Sequence, residues 1–227
     1  MGDGMASGSP RSDLSVLIPA AGRGERLGFG PKVFLPLNGE PLVVWLVRKA
    51  MGMAAEVIVA VPPEHLDRLC TLCPDCRAIE GGATRQASVA RLVEASTRPW
   101  LLLQDVARPF ASADLMRAVV EAARDTGAAG AFLRPEVPIA RVQDGYVLED
   151  FRPDQVGIFQ APQAFKRSLL VKVLEQAAER GWTEQSTLQL VLRAGLPVRT
   201  VPGEKTNLKL TTEEDLELAV GLLKRLA

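Results

Sequence analysis

The chain has 227 residues, 47% of them apolar, and its 27 basic side chains balance 27 acidic ones. That is enough for one large α/β domain with a buried core. The balance excludes a basic nucleic-acid surface and an acidic solvating tail, so positive charge at any site must be local, as it is between Arg23 and Lys32. No apolar run approaches the roughly 18 to 20 residues of a membrane span, and residues 1–13 (MGDGMASGSPRSD) lack the apolar core of a secretory signal. The expectation is a disordered leader over 1–13 and a soluble, cytoplasmic domain over 14–227, with neither nucleic acid nor membrane as partner.

From residue 14 onward, apolar runs alternate with helical patterns, which suggests an α/β fold with a mostly parallel sheet covered by helices. LSVLIPA (14–20) is nearly continuous in apolar residues, as a strand buried on both faces should be. PLVVWLVRKAMG (41–52) spaces its apolar residues three and four apart and predicts a helix with Pro41 in the first turn. EVIVAVP (56–62) is a second strand. Cys70, Cys73 and Cys76 follow in CTLCPDC, shortly after His65, the only histidine. Their spacing suits a metal, but a fourth ligand would have to be that histidine. Cys70 and Cys73 are therefore read as small apolar residues at a helix end in a reducing compartment.

RQASVARLVEAS (85–96) predicts the next helix and WLLLQD (100–105) the third strand. ADLMRAVVEAARDTG (113–127) is a helix closed by Gly127, and AAGAFL (128–133) a weaker fourth strand. The pattern then changes. RPEVPIARVQDGYVLEDFRPD (134–154) alternates polar and apolar residues around Asp144-Gly145, a hairpin turn signal, with too little apolar content to cover itself. Such an arm either lies on a second subunit or is an ordinary surface hairpin. Helical patterns resume at 166–181 and 184–195, LPVRTVPG (196–203) is a strand, and Thr211 with Glu214 forms a capping box opening a terminal helix.

Between the first strand and Lys32 runs a loop, AAGRGERLGFGPK, whose glycines let backbone N–H groups converge on phosphate oxygens. It does not fit the Walker pattern. It also fails the dinucleotide fingerprint, because Leu27 stands at the third glycine and no acidic residue ends the second strand. What remains is G-x-G-x-R followed by Pro31-Lys32. Two cations, Arg26 and Lys32, flank the loop, and converging cations suit a phosphorus centre whose charge grows in the transition state.

PAAGRGERLGFGPKVFLPLNGEPL resembles the nucleotidyltransferases that join NTPs to sugar phosphates. Three later segments narrow the resemblance: EGGATRQASV (80–89), QDVARPF (104–110) and NLKLTTEEDL (207–216). In that order they are similar to segments of the cytidylyltransferases acting on 2-C-methyl-D-erythritol 4-phosphate. The resemblance implies a single Rossmann-like domain that uses CTP and Mg²⁺ in non-mevalonate isoprenoid biosynthesis. It also implies a homodimer joined by the arm over 134–152. By the same resemblance, Arg26, Lys32, Arg152 and Lys209 would be catalytic. Pro19, Ala20, Ala21, Gly22, Gly24, Gly82, Ala83, Arg85, Ser88 and Ala107 would hold CTP, Arg85 bracing its segment. Asp105 and Arg108 would face the acceptor; the metal's ligands are not implied.

The departures gather on the acceptor side. Pro138 in VPIA (137–140) replaces a threonine hydroxyl of the arm, Arg152 sits one residue out of register, and Gly157 replaces a tryptophan. TEQS (183–186) replaces T-D-D-A, Gln104 a histidine, Val106 an alanine and Ala83 an aspartate. The alternatives are a cytidylyltransferase for another polyol phosphate such as ribitol 5-phosphate, or a protein that binds CTP without turnover.

Overall fold

The structure is a computed structural model describing residues 11–22 and 32–226. In chain order the elements are β1 (Arg11–Pro19), the short hairpin β2 (Pro36–Leu37) and β3 (Glu40–Pro41), α1 (Leu42–Met51), β4 (Ala54–Val61), α2 (Leu66–Leu72), β5 (Arg77–Glu80) and α3 (Arg85–Ala95). There follow β6 (Trp100–Leu103), α4 (Ala113–Thr126), β7 (Ala128–Leu133), β8 (Ile139–Gln143), β9 (Tyr146–Phe151), β10 (Ile158–Lys166), α5 (Arg167–Glu179), α6 (Thr187–Arg193), β11 (Arg199–Pro202) and α7 (Glu213–Leu226).

The main sheet has seven strands in the order β11-β7-β10-β6-β1-β4-β5. All pairings are parallel except those of β10, which is antiparallel to both β6 and β7. Helices cover both faces, and β1 shows why its sequence is apolar without alternation. Val16 and Ile18 enter a core with Leu46 of α1, Leu69 of α2, Val119 of α4 and Ala219 of α7. Leu17, pointing the other way, meets Leu92 of α3, Val173 of α5 and Val191 of α6.

Several expectations are adjusted. β1 starts three residues early, so Arg11, Ser12 and Asp13 belong to the sheet and not to a leader; the bonds there are Arg11 to Glu121 and Arg124 to Asp13, the latter at 2.8 Å. The capping box of α7 is shifted by one. Asp215, not Glu214, folds back to accept from the Thr211 and Thr212 N–H groups at 2.7 and 2.9 Å, while Thr212 Oγ1 accepts from Asp215 N at 3.3 Å. The turn of the arm forms as expected, with Asp144 and Gly145 at φ 50° and 82°, the left-handed region a two-residue hairpin requires. β5 and β10 were not anticipated; α2 forms where Cys70 and Cys73 were placed at a helix end, with Cys73 buried but Cys70 exposed rather than packed.

Every parallel strand delivers its carboxyl end to one edge, and the loops after Pro19, Val61, Glu80, Leu103, Leu133 and Pro202 open there. From β1 the chain runs outward to β4 and β5, then returns to β6 on β1's other side. The crevice between β1 and β6 is therefore the switch point of the sheet, where open α/β folds place ligands.

Candidate active site

On one side of the crevice lies the segment between β5 and α3. Ser88 is 1% exposed. Its hydroxyl accepts from Gly82 N at 3.0 Å and donates to Thr84 O at 2.9 Å, so it shapes the segment from behind rather than facing outward. Thr84 caps α3 by accepting from Ala87 N at 3.0 Å. Gly81 leaves room for the loop after β1: a Cβ there would stand 2.2 Å from the Cβ of Ala21. One at Gly82 would stand 2.5 Å from that of Ala87. Ala20 is tied to β4 through its N–H and Ala60 O, 2.8 Å. The loop after β1 thus meets the segment after β5 where Ala21 approaches Gly81, while Gly24 and Arg26 lie outside the described residues.

On the other side, Gln104 is fully buried beneath the turn that follows β6, donating to Asp105 O at 3.3 Å and Arg108 O at 2.9 Å. Arg108 N closes the turn on Asp105 O at 3.0 Å. Arg85 does not merely brace its own segment. Its Nε and Nη2 donate to Asp105 Oδ1 at 3.2 and 2.8 Å, and Nη1 to Thr187 Oγ1 at 3.3 Å, so it ties the two sides together. Burial alone would raise the Asp105 carboxyl, whose side chain is 18% exposed; Arg85, by charge and hydrogen bond, then Lys209 and Arg108 outweigh it and hold the group below the usual carboxylate range. Arg108 donates to Asn207 O at 2.6 Å, and burial draws its own pKa down while Asp105 opposes the shift.

Lys32 is set by its neighbours. Val33, Phe34 and Leu35 are buried, and the short 3-10 turn Lys32–Phe34 leaves the lysine at the rim. Its Nζ donates to Leu210 O at 3.0 Å, and Leu210 N donates to Ala107 O at 2.8 Å. Lys32, Ala107, Arg108, Asp105 and Lys209 therefore share one corner, in which the charges of Arg85, Lys209 and Arg108 all favour the ionised Asp105 carboxylate.

A family model described as 2-C-methyl-D-erythritol 4-phosphate cytidylyltransferase matches residues 14–225. The chain belongs to that family. The enzyme of that name from Thermus thermophilus is 43% identical over 219 residues, 93% of this chain and 98% of its own. That from Deinococcus radiodurans is 36% identical over 214 residues, 94% of this chain and 90% of its own. The Thermus crystal structure superposes with a TM-score of 0.80 at 39% identity, over 92% of this chain and 98% of its own. The 4-diphosphocytidyl-2C-methyl-D-erythritol synthase of Anaerococcus prevotii reaches 0.83 at 25% identity, over 94% and 99%. As a family member the chain is an enzyme, a nucleotidyltransferase.

Among the family's expected positions, Arg152 stands apart. It is 72% exposed and its hydrogen bonds go to Asp154, two residues away, at 3.1 and 3.2 Å. Three supporting residues escaped the sequence reading. Thr187 receives Arg85, and Gln163 donates to Ser186 Oγ at 2.9 Å beside it. Asn207, 1% exposed, donates to Ala161 O at 2.7 Å and so pins β10 to the segment carrying Lys209. Only Asn207 had a signal, since it opens NLKLTTEEDL. The three cysteines are free, Cys70 exposed and Cys73 and Cys76 buried in the core that also takes α1. No described helix is long and apolar enough to cross a membrane.

Proposed function

We propose that the protein transfers CMP from CTP to the phosphate of 2-C-methyl-D-erythritol 4-phosphate, giving 4-diphosphocytidyl-2-C-methyl-D-erythritol and pyrophosphate, as a cytoplasmic step of non-mevalonate isoprenoid synthesis. The observation that carries this reading is the corner where Arg85 is bonded to Asp105 and Arg108 and Lys209 add positive charge, with Lys32 joined to it through Leu210.

An acceptor phosphate has its second pKa at about 6 and is already ionised at neutral pH, so no general base is needed. The one histidine fits that economy: His65 packs edge-on against Phe34, ring centroids 5.3 Å apart. An acceptor oxygen bonds to the α-phosphorus of CTP, the bond to the β-phosphate breaks, and pyrophosphate leaves. What the enzyme must supply is alignment of two polyanions and charge to offset their repulsion. Lys32, and by resemblance Arg26, neutralise the charge growing on the five-coordinate phosphorus. Lys209 and Arg108 hold the acceptor phosphate, and the Ala21–Gly82 side receives the nucleotide.

The donor set fits Mg²⁺ in the mode in which nucleotide oxygens and water supply most ligands and the protein one or two carboxylates. Among the described residues no group of three or more acidic, histidine or cysteine side chains could cage a metal alone. Asp105 is the carboxylate in place, since Arg85 engages only its Oδ1. Asp105 would help hold the ion, which would supply positive charge to offset that of the phosphates.

On this reading exposed Arg152 serves the site of a second copy, and the active form is a homodimer in which each arm serves its partner. The arm exposes Val137, Val142, Tyr146 and Val147 at 66%, 60%, 74% and 66%, and a groove of about 950 Å³ at its root is lined by Phe132, Pro135, Gly157 and Val201. The test is pyrophosphate release from CTP and Mg²⁺ with methylerythritol phosphate and ribitol 5-phosphate as rival acceptors. Release with the first alone is expected. Release with the second alone would reassign the acceptor, and CTP binding without release from either would make the protein a CTP binder.

A further inference from the structure

One cation near the corner has no part in the chemistry just described. Lys49, in the last turn of α1, extends under the turn after β6 and donates to Pro109 O at 2.9 Å and Ala111 O at 2.6 Å. Burial lowers its pKa, and the carboxylate of Glu204 partly restores it. Burying an ammonium costs more than burying an apolar side chain of equal length, so two carbonyls on alternate residues are a demanding use for it.

What those carbonyls belong to gives the cost a purpose. The stretch from Asp105 to Ser112 carries Asp105, Ala107 and Arg108 and is neither helix nor strand. It is held at its start by Gln104 and in its middle by Lys49. At its end Glu204 accepts from Ser112 N at 3.0 Å and from the Ser112 hydroxyl. Glu204 is itself fixed, its backbone N–H and C=O bonded to the Gln160 side chain at 3.2 and 3.1 Å. Gln160 Oε1 also accepts from Asn207 Nδ2 at 3.4 Å, and Asn207 O receives Arg108. The bonds form a ring around the acceptor side, with Lys49, Glu204 and Arg108 as its charged members.

We propose that Lys49 is a positioning residue for the acceptor: acting opposite Glu204, its half-buried ammonium fixes the backbone of residues 109–111 and thereby sets where Arg108 meets the acceptor phosphate. The acceptor's identity rests on the function proposed above; the clamp itself does not.

The experiment pairs Lys49→Met, which keeps the length and removes the charge, with Lys49→Arg, whose fork can reach two carbonyls. Amide hydrogen exchange on the full chain without substrate is read first. Peptides spanning 105–112 should exchange about tenfold faster in the Met variant, those of β1 and β4 should be unchanged, and Arg should restore most of the protection. In steady state, KM for methylerythritol phosphate should rise about tenfold in the Met variant, with kcat and KM for CTP within about twofold. Unchanged exchange at 105–112, or faster exchange with an unchanged acceptor KM, would overturn the proposal. Should the Met variant not fold, Glu204→Gln takes its place, with an acceptor KM raised about threefold expected and no change overturning it. Faster exchange in a protein whose wild type ignores methylerythritol phosphate would remove the function reading and leave the clamp standing.

Discussion

β10 and β9 are both antiparallel strands in one chain, yet Phe165 of β10 is fully buried while Tyr146 of β9 is 74% exposed. Ladder hydrogen bonds shape both equally well; what differs is cover. β10 lies between β6 and β7 with helices on both faces, whereas β8 and β9 pair only with each other. Pairing defines a strand's backbone, and burial decides whether its side chains have a fixed place. The corner around Asp105 inherits its order from the sheet. The side chain of Arg152, on the arm, bonds only to Asp154, two residues on, among the described residues.

The sharpest test of the ordered region is Lys32→Ala, expected to lower turnover about a hundred- to a thousandfold, as removal of a transition-state donor does, with unchanged thermal unfolding. An unaffected rate would detach the corner from the chemistry. Next comes the contrast in cover itself. Leu17→Ala should cost about 2 to 5 kcal/mol in denaturant unfolding, whereas Val147→Ser on the arm should stay within about 0.5 kcal/mol while shifting sedimentation toward monomer. Equal costs would mean that the arm is packed within its own chain.

Gly81→Ala examines the nucleotide side alone. The added methyl meets Ala21 and displaces the loop, so KM for CTP should rise about tenfold while KM for the acceptor holds. The smallest effect concerns acid. Asp105 titrates below its ordinary range when folded, so the unfolded chain takes up the proton first. Its contribution to stability is full above about pH 4 and is lost as pH falls through the folded value. Stability measured from pH 5 downward should decline less steeply in Asp105→Asn than in the wild type, and parallel declines would contradict the Arg85 pairing.

The sequence reading found much of this because burial writes itself in apolar runs: β1, β4, β6 and β7 stand where those runs are. β10 was missed since Pro162 interrupts QAPQAF, and proline ordinarily argues against a central strand; the register slips between Gln160 and Gln163 to accommodate it. β5 has only four residues at the sheet's edge, too few to show a period. The glycine and lysine motifs marked both sides of the crevice, but not the bond from Arg85 to Asp105 that closes it. Ion pairs between separate segments leave no local pattern. Lys49 is invisible for the same reason, reading simply as the polar residue of an amphipathic helix.

The arm leaves the sheet at Leu133 and re-enters at Ile158, and those two residues face each other in the β7–β10 ladder. The sheet on either side is thus registered by pairs that do not depend on what lies between. Evolution, or an engineer, can lengthen, shorten or exchange the arm as a cassette while leaving the crevice between β1 and β6 untouched.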